Sequence, residues 1–244
     1  MTKARTTPAD FVVAAMVQEI FDGAVVATGA ASSLAILAIE VARLTHAPNL
    51  TYLACIGSVD PKITALHPSS EDLAYFEGRC GEFTIPDLFD HARRGRIDVM
   101  FFGAAEVDEL GFTNLTGTGT LAAPKVKFPG VAGAATLRRW VRRPILVVGR
   151  QSRRNLVSRV QIASTFDPER RTRLITDLGI FDLGASGARL VAHYPETTLE
   201  EIRDRTGFPF EVVVPLPVTR WPEPRYLNAI QTVDRSQIRN QLAG

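Results

Sequence analysis

Short apolar runs recur along the chain, and amphipathic or polar segments separate them. The runs lie at 24–28, 50–54, 97–102, 144–149, 173–177 and 188–193. Runs of this length, bounded by Gly, Pro or polar residues, are typical of strands buried on both faces of a sheet. Residues 33–44 read as a helix that is apolar on nearly every side, which is typical of a buried helix. Strand, helix and strand with short connections predict an α/β fold, an open and mostly parallel sheet with helices on both faces.

Local signals mark where several helices begin. Residues 7–10, 84–87 and 198–201 each start with Thr and carry a carboxylate three positions later, the spacing of an N-terminal cap. These helices are predicted to end near 22–23, 95 and 206–207, and a last helix is predicted at 223–233. Residues 173–177 and 188–193 are expected to be two strands around a glycine-rich turn. The stretches 56–82 and 111–135 predict loops or short strands, and long loops of this kind are often functional.

Composition narrows the class of protein. The chain has 244 residues, 45% of them apolar, and a formal net charge of +2, which are ordinary values for a globular protein. No internal repeat is visible, so one domain over residues 1–244 is the simplest organisation. The two cysteines, Cys55 and Cys80, form no disulfide pattern and favour a reducing cytoplasm. No signal peptide is evident and no apolar stretch is long enough for a bilayer, so we expect no membrane partner.

Two arginine clusters, 138–143 and 150–154, could form a positive surface. A solvated face is one interpretation, and a site for the phosphates of a nucleotide-like cofactor is the other. No nucleic-acid motif accompanies the charges, so no nucleic-acid partner is expected. No group of His, Cys and carboxylates has metal-ligand spacing, and no phosphate-binding or dinucleotide loop is present. We therefore expect no metal and no permanently bound cofactor.

Five blocks of the chain, taken in order, are similar to one known family. They are 46–50, 102–108 with 111–114, 127–135, 176–181 and 193–208. Together they resemble the second (beta) subunit of the family I coenzyme A transferases, glutaconate CoA-transferase in particular. The resemblance implies a CoA-transferase-like fold and an acyl-CoA substrate, so that coenzyme A enters as part of the substrate. It also implies a homologous alpha subunit, in a heterodimer or heterotetramer with the active site at the subunit interface.

The chain departs from the family at one position. The resemblance places the family's nucleophilic glutamate at Cys55, followed by a glycine at Gly57. That glutamate forms an acyl anhydride and then a glutamyl-CoA thioester, a covalent route that divides one difficult step into easier ones. Cys55 could act as a nucleophile if a neighbour lowered its pKa, or it could be a small buried core residue. The nearest carboxylates are Asp60 and Glu71, and a loop would have to fold back to supply one.

A glycine loop carries the other candidates for substrate binding. Where the family has Gly-x-Gly-Gly, this chain has Gly130, Ala132, Gly133 and Ala134, with Val131 between the first two. The resemblance implies that the N–H groups of this loop, together with Gly57, approach the thioester oxygen as an oxyanion hole.

Glu106 is a candidate acid or base, although structural roles are also open to it. Asp108 is expected to stabilise a turn with Asn114.

Three functional hypotheses remain open. The first is the beta subunit of a heteromeric acyl-CoA enzyme that performs CoA transfer or hydrolysis without the usual beta-subunit glutamate. One branch of the family that lacks this glutamate is the ring-opening CoA hydrolase of steroid catabolism, whose catalytic acid lies on the alpha subunit. The second is a non-catalytic partner that completes the pocket of an active alpha subunit, and the third is a regulatory or nucleic-acid module. The catalytic group would then come from Cys55, Glu106 or the partner, and we favour the partner.

Overall fold

A ten-stranded mixed sheet runs through the structure, a computed structural model that describes residues 6–167 and 169–242. The strands are β1 (Val25–Thr28), β2 (Thr51–Leu53), β3 (Ser58–Val59), β4 (Gly81–Glu82), β5 (Val99–Gly103), β6 (Glu106–Val107), β7 (Thr113–Asn114), β8 (Gly117–Gly119), β9 (Pro124–Lys127), β10 (Arg143–Val148), β11 (Thr172–Thr176), β12 (Gly179–Leu183), β13 (Ala188–His193) and β14 (Phe210–Val212). The large sheet has the order β14-β13-β12-β11-β10-β5-β1-β2-β3-β4, while β6 pairs with β7 and β8 with β9.

Helices cover both faces of this sheet. They are α1 (Pro8–Gln18), α2 (Ser33–Thr45), α3 (Ile85–Arg93), α4 (Ala134–Trp140), α5 (Leu199–Asp204), α6 (Pro224–Val233) and α7 (Ile238–Leu242), with a 3-10 helix at Leu73–Phe76. Successive strand residues point to opposite faces, so Val26, Phe101 and Ile145 pack with α1, α2 and α6. Their neighbours Ala27, Met100 and Leu146 pack with α3, α4 and α5. The predicted α/β architecture with two covered faces is therefore confirmed.

The capping signals place the helix starts correctly. Thr7 and Thr84 each accept a hydrogen bond from the backbone three residues on, and a returning Asp completes each capping box. The Thr198 hydroxyl accepts the N–H of Glu201 at 3.1 Å. The ends are less accurate, because α1 stops at Gln18, several residues before the predicted 22–23.

One predicted turn contains a further strand. Between β11 and β13 lies β12, which pairs antiparallel with both of them. The Thr176 hydroxyl accepts the N–H groups of Leu178 and Gly179 at 3.2 and 3.1 Å, which closes a tight turn into β12. A Cβ at Gly179 would lie 2.7 Å from the Ala192 carbonyl oxygen, so the close strand approach requires glycine. The glycine-rich turn falls one strand later, between β12 and β13.

The centre of the sheet defines where a ligand can enter. Strands β10, β5, β1 and β2 are adjacent and mutually parallel. From β1 the chain passes through α2 to β2 on one side, and it later returns to β5 on the other side of β1. Strand order therefore reverses between β1 and β5. In open α/β sheets, ligands bind in the crevice at the carboxyl ends of the strands at such a switch point.

Candidate functional site

A crevice of about 220 Å³ opens at this switch point. Its walls are the start of α2 (31–35), the end of β5 (101–104) and the end of β10 (147–149), with Met16 and Leu242. The crevice is small and mainly apolar, and backbone from three elements converges on it. This combination is suited to the acyl part of a ligand rather than to a large charged group.

A loop folds back over the start of α2 and borders this crevice. The Ser32 N–H donates to the Ser70 hydroxyl at 3.1 Å, and the Ser33 hydroxyl donates to the Pro68 carbonyl at 2.9 Å. The Ser70 hydroxyl also donates to the Gly29 carbonyl at 3.4 Å. Ser70 is fully buried and joins the end of β1 to the first turn of α2. The sequence interpretation missed Ser70, and its only signal was the serine-rich segment 69–70 between two irregular stretches.

The same serine holds Cys55. This residue follows β2 at the carboxyl edge of the sheet, and its thiol donates to the Ser70 carbonyl at 3.2 Å. The Cys55 Sγ also lies 3.8 Å from the Ser70 hydroxyl. Cys55 is half-buried, so it remains partly accessible from the crevice side of the sheet. The predicted fold-back of the loop therefore occurs, and its direct contact with Cys55 is a serine.

The surroundings of Cys55 favour the neutral thiol. Burial raises the pKa of Cys55, and the charge of the nearby Glu71 adds to the increase. The hydrogen bond with Ser70 opposes this increase only in part. An ordinary cysteine has a pKa of about 8.5, so a raised value leaves Cys55 protonated near pH 7. Reactive cysteines require the opposite shift, and the described residues of this chain do not provide it.

Gly57 shapes the turn after Cys55. Its N–H donates to the Ala54 carbonyl at 2.9 Å, and its φ of +98° lies in the region that favours glycine. A Cβ here would lie 2.9 Å from the Phe83 carbonyl oxygen. Gly57 is therefore required for the β2–β3 turn that presents Cys55, and its predicted contact with substrate stays a prediction.

Glu106 is held inside the protein. It is 5% exposed, and its Oε2 accepts from the Asn114 side chain at 2.8 Å and from the Gln161 N–H at 2.9 Å. Its Oε1 accepts from the Gln161 side chain at 3.0 Å. These three bonds occupy both carboxylate oxygens and join β6 to β7 and to the segment at Gln161. Glu106 does not line the switch-point crevice, and its role as an acid or base stays a prediction.

Asp108 stabilises a turn without Asn114. Its Oδ1 accepts the N–H groups of Leu110 and Phe112 at 3.2 and 3.0 Å. Asn114 bonds Glu106 instead, because it faces the carboxylate across the β6–β7 pair. The expected pairing of Asp108 with Asn114 is wrong, and the expected turn is present.

The glycine loop lies before α4 and is at least partly exposed. Gly130 has a φ of +106° and donates its N–H to the Leu115 carbonyl at 3.0 Å. Ala132 is left-handed with a φ of +43°, and the next residue, Gly133, is right-handed. Such a pair turns neighbouring N–H groups towards one concavity that suits an anionic oxygen. The Ala134 N–H is already bonded to the Val131 carbonyl at 2.9 Å. The loop does not line the switch-point crevice, so its predicted role in substrate binding stays a prediction.

Several arginines of the two clusters are used within the fold. Arg138 is fully buried and donates to the Thr165 and Thr172 hydroxyls at 2.9 and 3.2 Å. Burial lowers its pKa to about 10. Arg142 pairs with Asp98 at 3.0 Å, Arg143 pairs with Glu19, and Arg153 donates to the Asp204 carbonyl at 2.6 Å. These contacts do not leave a continuous free positive surface for phosphates.

Two other kinds of feature are absent from the described residues. No cluster of three or more His, Cys, Asp or Glu side chains in 6–167 and 169–242 is arranged to hold a metal ion. Over the same residues, no helix combines the length and apolar character needed to cross a membrane.

Comparison with known proteins identifies the family. The model of the coenzyme A transferase family matches residues 12–205, and the chain belongs to this family. It is of the beta-subunit type, because its curated relatives are B subunits. That of the 3-oxoadipate CoA-transferase of Pseudomonas knackmussii is 27% identical over 81% of this chain and 82% of its own. That of the glutaconate CoA-transferase of Acidaminococcus fermentans is also 27% identical, over 80% of each chain. The cholesterol ring-cleaving hydrolase IpdB subunit of Rhodococcus jostii is 27% identical over 88% of this chain and 87% of its own.

A solved structure is much more similar. A chain of the decarboxylase AibA/AibB has 61% identity and a TM-score of 0.96, and the match covers 98% of this chain and 99% of that one. Variants of that decarboxylase with a cysteine replaced by valine, asparagine, serine or alanine match equally well. In the decarboxylase's own numbering, that cysteine lies one position later than Cys55 does here.

Proposed function

We propose that this chain is the beta-type subunit of a two-subunit decarboxylase that acts on an acyl-CoA carrying a second carboxylate. The family supplies the CoA thioester, and the chain that is 61% identical over nearly the whole length is part of a decarboxylase. Two of the curated relatives are named for dicarboxylic acids, 3-oxoadipate and glutaconate, which supports a dicarboxylic acyl group. The observation that carries the proposal is a neutral thiol, Cys55, at the position of the family's charged nucleophile.

Decarboxylation needs no enzyme nucleophile. The bond between the carboxylate carbon and its neighbour breaks, CO₂ leaves, and the electron pair moves into conjugation with the thioester carbonyl. A proton then adds to the resulting enolate. The protein must stabilise the thioester oxygen, on which charge develops, and must desolvate the departing carboxylate. A glutamate at residue 55 would repel that carboxylate, whereas a protonated thiol would not.

The residues of this chain fit these tasks. The apolar crevice between α2, β5 and β10 would hold the acyl chain, with Cys55 and Ser70 at its border. The concavity at Ala132 and Gly133 would donate N–H groups to the thioester oxygen once the partner completes the site. We assign Glu106 to positioning, because both of its oxygens already accept hydrogen bonds. The proton donor would come from the partner.

We propose a homologous alpha subunit as that partner. The decarboxylase carries a two-component name, and the curated relatives are designated as subunits of larger enzymes. Two unpaired cysteines fit a reducing compartment, so we place the complex in the cytoplasm. Coenzyme A would enter and leave with the substrate.

Other chemistries of the family remain alternatives. CoA transfer would need a carboxylate from the partner in place of Cys55. The 27% identity to the ring-cleaving hydrolase subunit favours hydrolytic ring opening as the second candidate. A non-catalytic role would leave all chemistry to the alpha subunit.

One assay separates these functions. The purified pair is given glutaconyl-CoA labelled with ¹³C in its free carboxylate, with and without acetate. We expect labelled CO₂ and an acyl-CoA one carbon shorter, independent of acetate. Acetyl-CoA formed at the expense of glutaconyl-CoA would instead demonstrate transfer, and a product heavier by one water would indicate hydrolysis. Either result without CO₂ release contradicts the proposal.

A second comparison tests whether this subunit takes part in the chemistry. Cys55 and Glu106 are replaced singly, and assembly is checked by size-exclusion chromatography. Unchanged CO₂ release from fully assembled variants would favour the non-catalytic role, whereas a changed rate would exclude it.

A further inference from the structure

A second cavity lies away from the switch-point crevice. It has a volume of about 440 Å³, within the range of small-molecule sites, and is bounded by α1, by residues of β11 and β12, and by the segment 219–223. β11 and β2 are four strand positions apart in the sheet, so this cavity and Cys55 are separated by roughly 19 Å. Arg173 at the amino end of β11 lines the cavity, whereas the crevice opens at the carboxyl ends of the strands.

Aromatic rings form much of the cavity wall. Phe11 on α1 stacks on Tyr194 with 5.2 Å between ring centroids, and it packs against Trp221 at the same distance. Tyr226 closes another side, where its hydroxyl accepts from the Gln18 side chain at 3.0 Å. Walls of this kind hold a flat apolar body by stacking and edge contacts.

Two hydroxyl groups in this cavity lack partners. Tyr194 is 1% exposed, and its hydroxyl meets no hydrogen-bonding atom among the described residues. The buried Thr219 hydroxyl is likewise unpartnered within the described residues. A buried hydroxyl without a hydrogen bond costs about 1–3 kcal/mol, so two in one cavity indicate an acceptor that arrives with a ligand.

The charged groups at the cavity favour an anionic ligand. Arg173 is neutralised by Asp182 at 3.0 Å and by Glu19 at 3.1 Å. Glu223 is neutralised by Arg225 at 2.9 Å. Arg220 also lines the cavity and has no ion pair among the described residues, so it is the uncompensated charge.

We propose that this cavity is a second ligand site, which binds a small aromatic carboxylic acid. The ring lies against Phe11 and Trp221, and the carboxylate accepts from the Tyr194 and Thr219 hydroxyls and faces Arg220. The site is independent of the reaction at the switch-point crevice. One element connects the two regions, because α1 contributes Phe11 to this cavity and Met16 to the crevice.

The test is isothermal titration of the assembled two-subunit complex with benzoate and with phenylacetate. We expect saturable binding of at least one of them, with one site per copy of this chain, and weaker binding of the neutral benzamide. Tyr194→Phe and Thr219→Val each remove only a hydroxyl or replace it with a methyl group. Each should weaken binding roughly tenfold, the effect of one hydrogen bond to a charged group. Arg220→Gln should weaken binding of the acid but not of benzamide.

Controls separate this site from the crevice and from the partner interface. Thr232→Val is the matched control, because the Thr232 hydroxyl lies on α6 and bonds the Asn228 carbonyl outside the cavity. It should leave the titration unchanged. Failure of both acids to bind the complex overturns the proposal, as does unchanged binding in the Tyr194→Phe, Thr219→Val double variant. Displacement of benzoate by saturating glutaconyl-CoA would place the acid in the active site and would also overturn it.

Discussion

At the scale of single residues, Cys55 decides which chemistry this subunit can support. Its thiol is bonded to Ser70 and is held neutral by burial. Cys55→Glu restores the family's charge and should lower kcat/KM for CO₂ release at least tenfold. The reason is that two carboxylates about 4 Å apart repel by about 1–4 kcal/mol at a partly solvated site. Cys55→Ser keeps a small neutral donor and should retain activity within about tenfold, on the same scale. An inactive but assembled Cys55→Ser would show that the sulfur itself reacts.

Glu40 on α2 gives a residue-scale prediction about pH. It is buried, 3.7 Å from Arg43, and desolvation raises its pKa despite that arginine. The folded state therefore holds the proton more tightly than the unfolded state does. The contribution of Glu40 to stability is fully present below the unfolded pKa of about 4.3 and is lost as the pH rises through the folded value. Glu40→Gln should thus be more stable than the parent near pH 7, and the difference should shrink towards pH 4.

Urea titrations of both proteins at several pH values measure this difference. Thr232→Val serves again as a substitution distant from any buried carboxylate, and its effect should not vary with pH. A Glu40→Gln protein whose advantage grows as the pH falls would contradict the assigned direction of the shift.

At the scale of elements, the start of α4 depends on close packing of the glycine loop. A Cβ at Gly133 would lie 2.7 Å from Phe89 Cζ on α3 and 3.0 Å from Leu137 Cδ1. Gly133→Ala should therefore separate α3 from α4 and destabilise the protein by about 1–3 kcal/mol, the usual cost of overpacking. Gly184→Ala is the control, because its nearest neighbour is the flexible Arg171 side chain at 3.3 Å. Urea unfolding compares the two, and equal midpoints would show that α3 adjusts without cost.

Local and distant contacts explain which elements the sequence could predict. The starts of α1, α3 and α5 follow from a Thr and an acidic residue three positions apart, so the signal is entirely local. β12 is short, and its assignment depends on pairing with β11 and β13 rather than on its own pattern. β14 depends likewise on parallel pairing with β13. Such strands are stabilised by tertiary contacts that a single sequence does not display.

The candidate site divides in the same way. The change at Cys55 and the loop at 130–134 could be found from the order of family blocks. Ser70 could not, because its contact with Cys55 joins residues 15 apart through an irregular loop. The sequestration of Glu106 depends on Gln161, 55 positions later, and no local pattern connects them.

At the scale of the whole molecule, a buried ion network joins the two ends of the described chain. Arg239 on α7 pairs with Asp10 on α1 at 2.7 Å and with Asp234 after α6 at 2.9 Å. All three residues are at most 5% exposed. The network thus holds α1, α6 and α7 on one face of the sheet, and α1 in turn borders both the crevice and the second cavity.

This network gives the last prediction, which also tests the interpretation of residues 1–244 as one domain. Arg239→Met leaves two carboxylates buried without a cation and should destabilise the protein by about 3–5 kcal/mol. Arg239→Lys keeps the charge but loses the two-sided geometry, so its cost should be smaller. If the chain is one domain, urea should unfold each variant in a single transition whose midpoint alone moves. A separate early transition in Arg239→Met would mean that the helices of this face unfold apart from the sheet, and both cavities would then lose a wall before the rest of the molecule unfolds.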